Sequence, residues 1–129
     1  MSYSNTNFIV GLEAAGDIGA FKFVTVDGND AVDLAGDNEI VLGVGPDYAV
    51  AEGVQCPVGG VGNIMQVEAG GTITAAGTRV KSTATGTAVP VATTGTAIQN
   101  VAGIALKSAS EGDIIPVFVY IDTVRPALT

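Results

Sequence analysis

The residues able to do chemistry in this 129-residue chain are few and dispersed. It has no histidine, so the commonest general base and transition-metal ligand at neutral pH is missing. Cys56 is the single cysteine; it has no imidazole to activate it and no second thiol to oxidise with, which leaves it the role of a small buried hydrophobe. The densest group of titratable side chains is Asp27, Asp30, Asp33, Asp37 and Glu39, in the string DGNDAVDLAGDNE. Hard oxygens at such spacing suit a calcium ion, but the string does not fit the calcium-loop pattern with its central glycine and terminal glutamate. It reads better as acids in solvated hairpin turns, where Asp-Gly and Asp-Asn are locally favoured, and no metal site is expected. No phosphate-binding loop, dinucleotide fingerprint or nucleophile elbow is present. Two carboxylates alone can hydrolyse a glycoside, yet sugar sites favour broad aromatic platforms and the chain has no Trp. The expectation is a protein that is not an enzyme, with no cofactor and no small-molecule substrate.

Charge narrows the partners further. The net charge is −8, and all of it belongs to residues 1–64, whose acids stand against Lys22 as their one base; acids and bases balance in the second half. Phosphate recognition needs a basic footprint, so a nucleic-acid partner is not expected. An acidic face keeps a crowded surface soluble. No apolar run is long enough for a membrane span, and the polar, uncharged start MSYSNTN is unlike a signal peptide, so synthesis in the cytoplasm with no membrane partner is expected.

The elements that would hold any site are strands. Apolar runs such as Ala88-Val89, Val101 to Leu106 and Ile114 to Tyr120 are rich in Val and Ile, which suit a pleated surface. Gly86, Gly95 and Gly112 punctuate them at the cadence of an all-β sandwich or barrel, and no segment has helical apolar spacing over more than two turns. Earlier in the chain, AFKFVTV at 20–26 reads as a strand with Phe21, Phe23 and Thr25 on one face. Asp27-Gly28 turns it into a hairpin with AVDL at 31–34. Further strands are expected at 39–44 and 61–67. In the last strand Ile115, Val117, Val119 and Ile121 share one face and Ile114, Pro116, Phe118 and Tyr120 the other. With both faces apolar, that strand is either covered on both sides or packed at a subunit interface.

Residues 40–58, IVLGVGPDYAVAEGVQCPV, can be laid over 101–117, VAGIALKSASEGDIIPV. Gly43 then meets Gly103, Glu52-Gly53 meets Glu111-Gly112, and Pro57-Val58 meets Pro116-Val117, with one residue missing from the second copy. Such a pseudo-repeat would mean two similar β-units closing one core, set beside chance matching among many Gly and Val. The organisation expected is an N-terminal arm at 1–8, a single β-rich domain at 9–122 and a C-terminal tail at 123–129. The fold class is all-β: a compact barrel, tulip-like form or sandwich of short antiparallel strands with little or no helix.

The run AGTRVKSTATGTAVP followed by VAGIALKSASEGDIIPVFV resembles the C-terminal half of the small decoration, or cement, proteins of tailed-bacteriophage capsids. Gly70 to Val119 carries the likeness, and residues 20–58 repeat its pattern more loosely. The resemblance implies a head-stabilising virion protein made in the host cytoplasm and seated on the outer surface of an expanded capsid. It would be a homotrimer clamping neighbouring copies of the major capsid protein. By analogy the capsid contact falls on Tyr3, Asn5, Asn7 and Phe8 of the arm, and part of the trimer contact on Phe118 and Tyr120. A receptor- or glycan-binding β-module on a virion or cell surface is the other class to be weighed, and it would show exposed aromatics clustered in one group of loops.

Overall fold

A computed structural model describes residues 9–125. Within them the chain forms ten strands: β1 (Ile9–Ala14), β2 (Phe23–Val26), β3 (Ala31–Leu34), β4 (Gly43–Val44), β5 (Gln55–Gly59), β6 (Ile64–Glu68), β7 (Arg79–Ser82), β8 (Ala88–Pro90), β9 (Gln99–Ala105) and β10 (Ile114–Val124). There is no helix among the described residues, and the all-β reading holds. The arm expected at 1–8 lies outside them, as do residues 126–129. β10 continues through Val124, so Thr123 and Val124 belong to a strand where the tail was expected to have begun.

The strands divide into two units of five. β1, β3, β2, β4 and β5 close a barrel in that order; β6, β10, β9, β7 and β8 form a sheet whose outer strands are tied by a parallel bridge from Ala69 to Ala88. Traced around, both units therefore run in the same order, and their registers correspond. Val24↔Leu34, Thr25↔Asp33 and Val26↔Val32 in the first unit match Val80↔Pro90, Lys81↔Val89 and Ser82↔Ala88 in the second. Gly11↔Pro57 and Glu13↔Gln55 match Gln66↔Pro116 and Glu68↔Ile114. Paired bonds between Ile18 and Val50 match those between Ile73 and Ala109. The Glu-Gly turns agree as well: Gly53 N donates to Ala14 O and Gly112 N to Ala69 O, both at 2.8 Å, with φ of 86° and 91° that favour glycine.

Alternation fills each interior with small side chains. Ala14, Ile18, Val24, Val32, Val50, Cys56 and Val58 pack the first barrel with Leu12 and Leu42 against them. Their counterparts Ala69, Ile73, Val80, Ala88, Ala109, Ile115 and Val117 belong to the second, larger cluster. That cluster also takes in Phe23, Ala35, Val41 and Val44 from the first unit, so the outer wall of the first barrel is buried by the second. Phe23, wholly buried, is the largest side chain at this seam. Burial of such a ring is worth about 1.5–3 kcal/mol.

Two sequence expectations change at this level. Phe21 does not continue β2: its φ is 61°, and it sits in a turn whose N–H donates to Pro46 O at 3.0 Å. The strand expected at 39–44 shortens to Gly43–Val44, because Asn38, at φ 55°, turns away to bond the second unit. Asn38 N donates to Ser82 O, its Nδ2 to Ile98 O, and its side-chain and backbone oxygens accept from Asn100.

Gly43 and Gly103 sit at equivalent close approaches. A Cβ on Gly43 would run into Gly59 O and the Val58 side chain, and one on Gly103 into the Val117 side chain and, at 2.8 Å, Phe118 O. Gly43→Ala and Gly103→Ala are each expected to lower stability by about 1–3 kcal/mol. The check is a lowered urea midpoint at unchanged m-value.

Candidate interaction surface

Strand alternation decides which functional side chains meet. The acidic string spreads over a hairpin and the loop after it. Asp27 and Asp30 occupy the β2–β3 turn, Asp33 Oδ1 accepts from Leu34 N at 2.8 Å, and Glu39 Oε1 accepts from Gly36 N at 2.6 Å. These are local turn bonds, and no group of three or more metal-binding side chains converges among the described residues. Cys56 is buried in the first barrel, and burial raises its thiol pKa. A raised pKa leaves little thiolate at neutral pH, which makes it an inert core residue.

The described surface offers shallow clefts. One, of about 330 Å³, lies along the seam and is lined by Phe21, Pro46, Pro57, Ile64 and Met65. Another, of about 540 Å³, sets Arg79 and Arg125 beside Thr72, Thr78, Pro90 and Val91. The single ion pair among the described residues also crosses the seam, from Lys22 Nζ to Glu68 Oε1.

The more telling feature is the outer wall of the second sheet. Ile64 pairs with Phe118, Phe118 with Ile104 and Ile104 with Arg79, so four outward side chains form one row across β6, β10, β9 and β7. Ile115, Val117 and Val119 of β10 are buried while Ile114 and Tyr120 are 39% and 37% exposed, with Pro116 and Phe118 half-buried. The second apolar face of the last strand is thus open rather than covered. Tyr120 lies where the pairing slips between Val119 and Asp122, and its hydroxyl donates to Asp122 Oδ2 at 3.2 Å.

Tyr3, Asn5, Asn7 and Phe8 lie outside the described residues. Sequence reasoning passed over Ile64 and Ile104, which join Phe118 only through cross-strand pairing. It also passed over Val26 and Ile40, which are 60% and 67% exposed. Val26 ends β2 and Ile40 lies in the loop before β4, and composition does not distinguish either from core. Among the described residues the exposed large aromatics are Tyr48, between β4 and β5, and Tyr120, within a strand, so no single loop group of those residues presents them.

The phage cement protein family matches residues 4–121. The chain belongs to that family. It is a capsid-associated structural protein of a phage virion. No curated protein sequence matches it. Its fold is similar to the crystal structure of the N base of head fiber gp8.5 in bacteriophage phi29, with a TM-score of 0.66 and 24% identity over 87% of this chain and 92% of that one.

Cys56 of this cement protein should resist a thiol reagent in native buffer and react fully once the chain is unfolded in urea. Rapid labelling of the native protein would show that the first barrel opens readily.

Proposed function

We propose that this cement protein binds the outside of an expanded phage head as a homotrimer and clamps neighbouring major capsid subunits. The observation that carries the reading is the open apolar wall around Phe118 in a member of the cement family. Such a wall on a chain of net charge −8 suits protein contacts, and its charge disfavours DNA. Tyr3 and Phe8 anchor the arm on the major capsid protein while Asn5 and Asn7 hydrogen-bond beside them. Phe118 and Tyr120 contribute to the contact between copies.

Attachment by this route is additive binding. Each arm buries a modest surface, and linking three of them raises the effective concentration of the second and third once the first has bound. Edge strands of the capsid protein are natural receivers, since their unpaired N–H and C=O groups accept an added strand.

The test is co-sedimentation with expanded empty heads. The full chain should pellet with them, and a chain lacking residues 1–8 should remain in the supernatant. Unchanged pelleting of the truncated chain would overturn the role of the arm, and failure of the full chain to pellet would overturn the function. Charge reversals at Asp33 or Asp37 should change solubility and leave the affinity for heads within about fivefold, as expected for solvated acids worth at most about 1 kcal/mol.

A further inference from the structure

The matching registers of the two units allow the seam between them to be read as a rule that applies again. At that seam the outer wall of one unit meets the hairpin end of the next. The wall belongs to the first unit, where Phe23, Val44 and Gly59 form a paired row across β2, β4 and β5. The hairpin end belongs to the second unit, where Gly86 O accepts from Phe23 N at 2.8 Å, Glu68 N donates to Phe21 O at 3.0 Å, and Ser82 and Asn100 bond Asn38.

Each partner in this contact has a counterpart left open at the other end of the molecule. Arg79, Ile104 and Phe118 stand in the second unit where Phe23, Val44 and Gly59 stand in the first, and they face outward. Gly77, at φ 91°, precedes Arg79 as Phe21, at φ 61°, precedes Phe23. At the opposite end, Val26 pairs with Val32 as Ser82 does with Ala88, and Ile40 lies three residues before Gly43 as Asn100 does before Gly103. Ser82 is fully buried by the seam; Val26 and Ile40 are the two most exposed large hydrophobics described. Exposed Asp27 and Asp30 lie in the turn that follows Val26, and exposed Glu13 joins them through its pairing with Ala31, all opposite in sign to Arg79.

We infer that the two units are copies of one module, and that the wall of the second unit docks on the hairpin end of the first unit of another copy of this chain. Continuity with the internal seam and the opposition of Arg79 to those acids name that occupant. One bond must be exchanged. Glu13 N donates to Asp30 O at 3.1 Å in the first barrel, whereas their counterparts Glu68 and Gly86 instead bond the inserted Phe21–Phe23 segment. The incoming Gly77–Arg79 segment replaces that one bond with two. The contact joins two different surfaces, so copies follow one another head to tail and close into a ring or extend as a chain. It deepens the self-association proposed above and rests on that part of the reading alone.

The experiment is light scattering and analytical ultracentrifugation of the isolated full chain, without heads, with circular dichroism to confirm that each variant is folded. Wild type should associate. Ile104→Asp blocks the wall and Ile40→Asp, at a 67% exposed position, blocks the hairpin end, and each should weaken association at least tenfold. Arg79→Glu should weaken it as well. Mixing Ile104→Asp with Ile40→Asp should give a one-to-one dimer, because one intact wall and one intact hairpin end remain. A monomeric wild type, association unchanged in Ile104→Asp or Ile40→Asp, or a mixture that stays monomeric would each overturn the contact. Head attachment, read separately by co-sedimentation, can fail without touching this result.

Discussion

The structure turns on a backbone exchange at the seam between its two units. In the first barrel Glu13 N and Asp30 O bond each other and close the wall. In the second, the equivalent Glu68 N and Gly86 O are held apart and bond Phe21 O and Phe23 N instead. Backbone donors and acceptors in a dry interior must be paired, so the second unit is complete only with the first in place. Phe23, Ala35, Val41 and Val44 then bury the wall of one barrel in the core of the other. Asn38 adds bonds to Ser82, Ile98 and Asn100 on the same joint.

This dependence accounts for how a core so poor in aromatic side chains holds together. Each interior is filled by Ala, Val and Ile at matched positions, and each would make a small core by itself. The shared seam turns two small cores into one continuous buried mass, with the largest buried side chain, Phe23, in the joint. Glycine at Gly43 and Gly103 lets neighbouring backbone and Val58 or Val117 approach within the reach of a methyl group. The tight barrels thus depend on residues chosen for smallness.

The same economy shapes the surface. A capsid-associated protein that works by contact needs faces rather than pockets, and the described surface supplies shallow clefts, an open apolar wall and an acidic end. Acid is concentrated in the first unit and the clustered arginines Arg79 and Arg125 in the second, which gives the molecule a direction. Cys56 belongs to this picture as a packing residue, since burial raises its thiol pKa.

Much was legible in the chain. The absence of histidine and the lone Cys56 were legible without coordinates, because they are properties of residue type. Alternation in Ile114 to Tyr120 set the two faces of β10, and Asp27-Gly28 set the β2–β3 hairpin, because a period of two and a turn are local. Other features were decided only by tertiary structure. The positive φ of Phe21 and the short β4 follow from hydrogen bonds to distant segments, which override local preference. The row Ile64, Phe118, Ile104, Arg79 exists because four strands far apart in sequence pair in one register. Which apolar face is covered depends on what packs against it: Val44 and Ile104 hold equivalent places in their sheets, yet one is buried by a neighbouring barrel and the other faces outward.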